Sequence, residues 1–175
     1  MTDAEFETVF YEHKDAVYRF AWRMTGSPEA AEDISQEVFL SLLRRPEGFD
    51  PARGKLRSFL LGAVRNLALK RWRGESRWDE LDSDRLLTEP FDIVRGDIAE
   101  IVAAAVHELP ALQREVLILA EYEELSLEEI GSVVQAEVGT VKSRLHRARE
   151  NLRRMLASLK SGNPVKTRTI HGTLG

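Results

Sequence analysis

Apolar residues recur at intervals of three and four along most of the chain, which is the spacing of one buried face of an α-helix. The first such stripe starts at Phe6 and is stopped by Gly26. Ser27 and Pro28 then suit the N-cap and first position of a second helix, which Pro46 ends. No alternation of apolar and polar residues extends beyond three or four positions, so the pattern predicts an all-α fold.

One long internal stretch interrupts the helical period. A third helix is predicted from about residue 56 to residue 73, and the period resumes at Ile98. The acidic residues 75–96 include Ser, Pro and Gly and are expected to form a flexible linker. The predicted organisation is two small helical modules, an N-terminal helical bundle at 1–74 and a C-terminal helix-turn-helix module at 97–160, followed by a disordered tail at 161–175.

Residues 125–154 carry the most specific pattern, two short amphipathic helices joined by a tight turn. Ser126 and Glu129 have the spacing of a capping box, and Leu125 and Ile130 have that of a hydrophobic staple. The second helix buries one apolar side. Its other side is expected to be exposed and to enter the DNA major groove, with the candidate contacts Thr140, Lys142, Ser143, Arg144 and Arg147.

The formal net charge is −4, but like charges are strongly segregated along the chain. Residues 53–77 hold eight bases and one acid, and residues 139–160 hold seven bases and one acid. Residues 1–37 hold nine acids and three bases, and residues 79–100 hold eight acids and two bases. Two basic blocks favour nucleic-acid contact through the phosphates, although one block alone would fit a solvated helix face equally well.

Several classes of protein are disfavoured. The absence of Cys excludes disulfides, thiolate metal sites and a Cys nucleophile. The four His residues lack metal-ligand spacing, and no phosphate-binding glycine loop or Ser nucleophile motif is present, so we expect no enzyme, cofactor or metal. No apolar run reaches the roughly 20 residues that cross a bilayer, and the acidic N-terminus does not resemble a signal peptide. The expected compartment is the cytoplasm, without membrane insertion.

Two separate segments resemble the same protein family. LSLEEIGSVV followed by VGTVKSRLHRAR resembles region 4 of RNA polymerase sigma factors of the extracytoplasmic-function (ECF) group, within the sigma-70 family. AAEDISQEVFLSLLRR at 30–45 resembles the region 2 helix that docks on the polymerase. RSFLLGAVRNLALKRWR at 57–73 resembles the helix that melts and reads the −10 promoter element. The resemblance implies a bacterial transcription initiation factor that binds core RNA polymerase and promoter DNA.

The resemblance further implies that the C-terminal module reads the −35 element and that the N-terminal module holds −10 as a single strand. A single-stranded base needs cations for its backbone and an aromatic or apolar platform for the base itself. The candidates are Arg53, Lys55, Phe59, Arg65 and Asn66. The family places a flipped base in the loop at 49–56, while core packing remains an equally good interpretation of Phe59.

A polar face of the second predicted helix is interpreted as a docking surface for protein. Asp33, Gln36 and Glu37 are three and four residues apart, and with Phe39 they form the candidate site for core polymerase. Acids on this face disfavour DNA, and the resemblance names the clamp helices of the β′ subunit as its partner. An ordinary exposed helix face is the alternative. The family also implies contact with the polymerase β flap and inhibition by an anti-sigma factor.

The linker and the turn leave further questions open. The acidic linker fits either a nucleic-acid mimic or a solubilising tether, and Trp72 and Trp78 at its start are interpreted as packing residues. Gln135 stands in the turn where the family usually has Gly, and a non-Gly residue in a left-handed turn costs roughly 1 kcal/mol. Two other positions also depart from the family pattern. Gly131 stands where Ala is usual, and Glu124 stands where Gly is usual.

A second hypothesis is a stand-alone helix-turn-helix regulator that binds duplex DNA as a dimer. Its N-terminal half would then sense a signal or dimerise. The net charge of −4 favours the sigma factor, because acidic blocks should make the free chain a poor ligand for duplex DNA. Binding to purified core polymerase separates the two hypotheses.

Overall fold

The computed structural model describes residues 1–74, 84–87 and 97–160, with side chains to residue 157. Within these ranges the chain is all-α, as predicted, and contains no strand. The predicted disordered tail, Trp78 and most of the predicted linker lie outside the described residues. The helices are α1 (Asp3–Thr25), α2 (Pro28–Arg44), α3 (Leu56–Gly74), α4 (Ile98–Glu108), α5 (Ala111–Glu121), α6 (Leu127–Val134) and α7 (Val138–Lys160), with short 3₁₀ turns at Pro46–Gly48 and Pro51–Arg53.

The predicted helix ends are confirmed at the junction of α1 and α2. Gly26 adopts φ 67°, the left-handed conformation that glycine tolerates best, and its N–H donates to the carbonyl of Trp22 at 2.7 Å. The hydroxyl of Ser27 accepts from the N–H of Ala30 at 3.2 Å, and Pro28 follows at the first helical position. These two caps set α1 and α2 as an antiparallel pair with a short connection.

The N-terminal module is a three-helix bundle of α1, α2 and α3. Its centre holds Phe20, Met24, Leu60 and Leu61, which are almost fully buried. The aromatic ring of Phe39 on α2 also lies inside, with its centroid 4.9 Å from that of Phe10 on α1. Two apolar residues of these helices, Leu43 and Phe59, are 44% and 38% exposed, whereas the polar Ser58 is buried.

The C-terminal module is built around α5. This helix packs against α7 and α6 within its own module and against α1 of the other, so even Gln113, Arg114 and Glu115 on it are buried. Ile130 of α6 and Val141 and Leu145 of α7 supply the facing apolar surface, as their spacing predicted. Ile98, predicted to lie on the buried stripe of α4, is instead 74% exposed because it stands in the first turn of that helix.

The two modules are in direct contact. Helix α3 packs against α6, and α1 packs against α4 and α5. The buried guanidinium of Arg114 on α5 donates to the carbonyls of Met24 at 2.8 Å, Leu109 at 2.7 Å and His107, and it stacks over the ring of Trp72 at 4.4 Å. Arg114 therefore ties the ends of α1 and α4 together, and the interpretation of Trp72 as a packing residue is confirmed.

Candidate nucleic-acid interface

Helices α6 and α7 form the predicted helix-turn-helix. The N–H of Glu129 donates to the hydroxyl of Ser126 at 3.2 Å, and the N–H of Ser126 donates to the Glu129 carboxylate at 2.9 Å, which confirms the capping box. The turn runs through Gln135, whose φ of 54° and ψ of 47° are left-handed. Gln135 therefore carries the predicted strain of roughly 1 kcal/mol.

The turn also explains Gly131. The N–H of Ala136 donates to the carbonyl of Gly131 at 3.0 Å, which draws the chain back over α6. A Cβ atom at position 131 would lie 2.7 Å from the carbonyl oxygen of Ala136, closer than any side chain tolerates. Glycine is therefore the residue that this approach of two backbone segments permits.

The outer edge of α7 presents a small polar and cationic surface. Thr140, Lys142 and Ser143 are exposed at the start of the helix, as expected for a helix that reads a major groove. The guanidinium of Arg147, one turn further on, is ion-paired with Asp84 of the linker.

Arg144 is not on this exposed edge, which corrects the prediction. Its side chain is only 16% exposed and turns toward α5, where Nη1 lies 3.8 Å from the carboxylate of Glu115. Within the part of the chain described, Nε and Nη1 of Arg144 are buried without a hydrogen-bond acceptor. A buried guanidinium so weakly satisfied gains more from a new anionic acceptor than an exposed one does.

The predicted −10 residues are divided in the same way. Arg53, Lys55 and Asn66 are exposed, and Phe59 is 38% exposed with its ring centroid 5.5 Å from that of Phe49. Phe59 is thus an aromatic surface residue and not a core residue.

Arg65 corrects the prediction for α3, because its guanidinium points into the module interface. Nε and Nη2 donate to the two carboxylate oxygens of Glu115 at 2.8 and 3.2 Å. The side chain of Arg65 is 13% exposed and that of Glu115 is fully buried. This bidentate ion pair joins the N-terminal module to the C-terminal one.

A cavity of about 330 Å³ lies between the loop at 48–55 and α3. Phe49, Phe59, Arg53 and Asn66 line it, so aromatic rings, a cation and an amide face the same space. Its remaining wall belongs to the other module, where the end of α6 and the turn after it contribute Ser132, Val133 and Gln135.

Glu115 is the electrostatic centre of the module interface. Burial raises the pKa of the Glu115 carboxyl, because an ion loses its water there, and the neighbouring guanidinium groups of Arg65 and Arg144 oppose that rise. One carboxylate thus holds an arginine from each of the two predicted DNA-binding surfaces.

Two more acids of the C-terminal module, Glu123 and Glu129, are paired with cations of the N-terminal module. Neither these pairs nor that of Glu115 was predicted from the sequence. The carboxylate of Glu123 lies 2.7 Å from Arg57 and 3.4 Å from Arg19, and that of Glu129 lies 2.7 Å from Lys55. For Glu123 and Glu129 the only signal was the cluster of glutamates at 121–129, whose cation partners are far away in sequence, and Glu115 lies outside that cluster.

Three of the four residues of the predicted polymerase-binding face are exposed. Asp33, Gln36 and Glu37 are exposed on α2, and Asp33 is ion-paired with Arg71 of α3 at 3.1 Å. The placement of Phe39 on this face is wrong, because its ring is 5% exposed and packs against the aromatic rings of α1.

Comparison with known proteins agrees with this two-module architecture. Residues 9–77 match the family model for sigma-70 region 2, and residues 99–159 match that for sigma-70 region 4. The chain is 32% identical over 163 residues to the ECF RNA polymerase sigma factor SigW of Bacillus subtilis, covering 84% of this chain and 86% of that one. The chain belongs to the ECF group of the sigma-70 family.

Other relatives of this sigma factor agree. It is 37% identical over 154 residues to the ECF sigma factor SigE of Mycolicibacterium smegmatis, covering 83% of this chain but 59% of that longer one. Among solved structures, it resembles the sigma factor RpoE in complex with the anti-sigma factor NepR from Bartonella quintana, with a TM-score of 0.67, 25% identity, and coverage of 87% and 97% of the two chains. It also shares the fold of CnrH in complex with the cytosolic domain of CnrY, with a TM-score of 0.66, 21% identity, and coverage of 93% and 92%.

Two general properties of this chain follow, the first from its family and the second from its helices. Sigma factors act in transcription initiation with RNA polymerase and promoter DNA and are not enzymes. No helix among the described residues is long and apolar enough to cross a membrane.

Proposed function

We propose that this chain is a sigma initiation factor whose two modules read the two promoter elements. Thr140, Lys142, Ser143 and Arg147 on α7 contact the −35 element, joined by Arg144 once it leaves Glu115. The face of Asp33, Gln36 and Glu37 on α2 docks on the clamp helices of the polymerase β′ subunit, while the C-terminal module meets the β flap. The protein acts in the cytoplasm, where its polymerase is.

The observation that carries this proposal is the cavity between the loop at 48–55 and α3. Its volume of about 330 Å³ and its two aromatic rings, Phe49 and Phe59, suit a single nucleobase held outside the duplex. Arg53 and Asn66 on its rim supply a cation for the sugar-phosphate backbone and an amide for a base edge. A stand-alone regulator of duplex DNA has no use for such a cavity.

The ion pairs between the modules support a further step in this function. Lys55 and Arg65, two predicted −10 residues, are held by Glu129 and Glu115, and α6 closes one wall of the base cavity. In the proposed mechanism core polymerase separates the modules, and the promoter phosphates then replace these carboxylates. An anti-sigma factor, as in the RpoE complex, would act before that separation.

The proposal is tested by substitutions that separate promoter recognition from binding of core polymerase. Lys142→Ala should reduce run-off transcription from a −35-dependent promoter severalfold, since one phosphate or base contact is lost, while core polymerase is bound as before. The double substitution Asp33→Ala, Glu37→Ala should lose core polymerase in a pull-down. Glu7→Ala, an exposed acid on α1, is the matched control. Equal loss of core binding by both variants would contradict the division of labour, and tight operator binding by a dimer that ignores core polymerase would favour the regulator.

A further inference from the structure

The linker residues 84–87 are held on the C-terminal module by an unusual set of contacts. They lie in the cleft between α5 and α7, where two fully buried amides, Gln113 and Asn151, meet them. The Asn151 amide group donates to the Gln113 side-chain oxygen at 2.7 Å, which fixes both side chains in one orientation.

The two amides bind the main chain of the linker at Arg85 and Leu87. The amide groups of Gln113 and Asn151 both donate to the carbonyl of Arg85, at 2.7 and 3.2 Å, and the side-chain oxygen of Asn151 accepts from the N–H of Leu87 at 3.0 Å. In an extended chain a carbonyl and the N–H two residues on point to the same side, so this pair of contacts favours an extended segment.

Side chains supply the rest of the recognition. Leu87 is partly buried against the hydrophobic core, whereas its neighbour Leu86 is 47% exposed on the opposite side. The carboxylate of Asp84 pairs with the guanidinium of Arg147 on α7. Because the Asp84 side chain is 73% exposed, this ion pair adds little affinity, and the amides and Leu87 are the anchors.

We propose that the cleft between α5 and α7 is a peptide-binding site for an extended segment with an acidic residue three positions before a leucine. Residues 84–87 of the chain itself occupy the site. Asp84 takes the place of a DNA phosphate at Arg147, so the occupant and promoter DNA exclude one another. This exclusion rests on the proposed function of α7, whereas the peptide site does not.

Because the bound segment belongs to the same chain as its site, the exposed Asp84–Arg147 ion pair can compete with DNA. A tethered segment rebinds at a high effective concentration, so weak contacts keep Arg147 covered until a polyanion or a rearrangement of the linker displaces them. The acidic linker then acts as a nucleic-acid mimic at one defined residue, and not through its net charge.

The two adjacent leucines allow a matched test on the full chain. Leu87→Ser removes an anchor without changing charge, and Leu86→Ser is its control. Binding of a mixed-sequence DNA duplex at low salt should strengthen about threefold to tenfold in Leu87→Ser, because one more cation becomes available to phosphate. It should stay unchanged in Leu86→Ser. Asp84→Asn should also strengthen binding, and the charge-matched Glu7→Gln should not.

Hydrogen exchange of the Leu87 amide reports occupancy of the site without DNA. The amide should be protected in the wild type and in Leu86→Ser, and saturating duplex should remove the protection. Exchange at the rate of an unstructured chain in the wild type, or equal DNA affinity for the two leucine variants, would overturn the proposal. Failure of the proposed function is distinguishable: if Lys142→Ala leaves duplex binding unchanged, the exclusion falls, while a protected Leu87 amide still supports the peptide site.

Discussion

The two predicted DNA-binding surfaces differ in how they are covered. On the α7 surface Thr140, Lys142 and Ser143 are exposed, whereas Arg147 is covered by its ion pair with Asp84 of the linker. The α3 surface includes the cavity proposed for a nucleobase, and the end of α6 in the other module forms one of its walls. Both surfaces also have one arginine turned inward onto the same buried carboxylate, Glu115.

From this difference we expect the two proposed surfaces to become available in separate events. A duplex can approach the exposed edge of α7 while the modules remain in contact. We expect a nucleobase to gain full access to the cavity beside α3 only after the C-terminal module has moved away with α6, which requires the ion pairs of Glu115, Glu123 and Glu129 with the N-terminal module to break. We therefore expect contact with −35 to require less rearrangement of the chain than opening of −10.

The largest effect is expected from removing the shared carboxylate. Glu115→Ala leaves Arg65 and Arg144 buried beside an apolar methyl group, and breaking a buried pair from one side costs about 3–5 kcal/mol. The free energy of unfolding, measured by urea denaturation, should fall by this amount.

Glu123→Ala is the control for that prediction. Glu123 is as buried as Glu115, but its partners Arg57 and Arg19 are 37% and 47% exposed and can turn to water. Its substitution should cost only about 1–2 kcal/mol. An equal loss in the two variants would show that burial of the carboxylate alone decides the cost, and that the shared arginines add nothing.

The second prediction forces the α3 surface open without touching a charge. A Cβ atom on Gly62 would lie 3.6 Å from the carbonyl oxygen of Val133 on α6, an ordinary contact distance, so Gly62→Ala should be accommodated. Gly62→Leu places three further side-chain carbons between α3 and α6, should cost about 1–3 kcal/mol and should push α6 away. Since the chain has no Cys, dyes on Glu7→Cys and Arg154→Cys can report the separation by energy transfer.

The control is Gly74→Leu, because an added Cβ at Gly74 meets no heavy atom within 4 Å among the described residues. Energy transfer should fall in Gly62→Leu and stay unchanged in Gly62→Ala and Gly74→Leu. An unchanged value in Gly62→Leu would mean that α6 accommodates the leucine in place, contrary to the two-event scheme.

What could be predicted from the sequence follows from how local each signal is. The helix ends at Gly26, Ser27 and Ser126 were correct, because each cap is decided within four residues. The strained turn at Gln135 was correct for the same reason.

The errors concern contacts between distant residues. Arg65 and Arg144 were assigned to exposed faces since each helix had one polar side, but Glu115 lies where those sides meet. Phe39 shares α2 with an exposed acidic face, yet aromatic side chains of α1 cover it. Periodicity tells which side of a helix is polar, and it does not tell which polar side another module will cover.

The third prediction compares one exposed cation from each surface. In the free chain Lys142 is exposed, whereas Lys55 is paired with Glu129 at 2.7 Å. Lys142→Ala should lower the slope of log affinity against log salt for duplex DNA by about 0.9, the value for one lost phosphate contact. Lys55→Ala should leave that slope unchanged until core polymerase is added. Equal slopes for the two variants in the free chain would remove the distinction between the surfaces.

The smallest effect concerns the exposed ion pair of Lys55 with Glu129, which joins the two modules. The Lys55 ammonium and the N–H of Ser126 lower the pKa of Glu129 below its ordinary value of 4.5. A lowered pKa in the folded state means that the stabilisation is present above pH 4.5 and is lost as the pH falls through the lowered pKa. Because Lys55 is 77% exposed, the ion pair should contribute less than about 1 kcal/mol.

Glu129→Gln isolates this charge, since Gln also completes a capping box and leaves the start of α6 intact. Its unfolding free energy should lie slightly below that of the wild type at neutral pH, and the gap should close in acid. The gap should also narrow in a Lys55→Ala background, because only the Ser126 N–H then still favours the charged carboxylate. A gap of the same size in acid or without Lys55 would assign the effect to the cap of α6, and the Lys55–Glu129 pair would no longer count among the contacts that close the α3 surface.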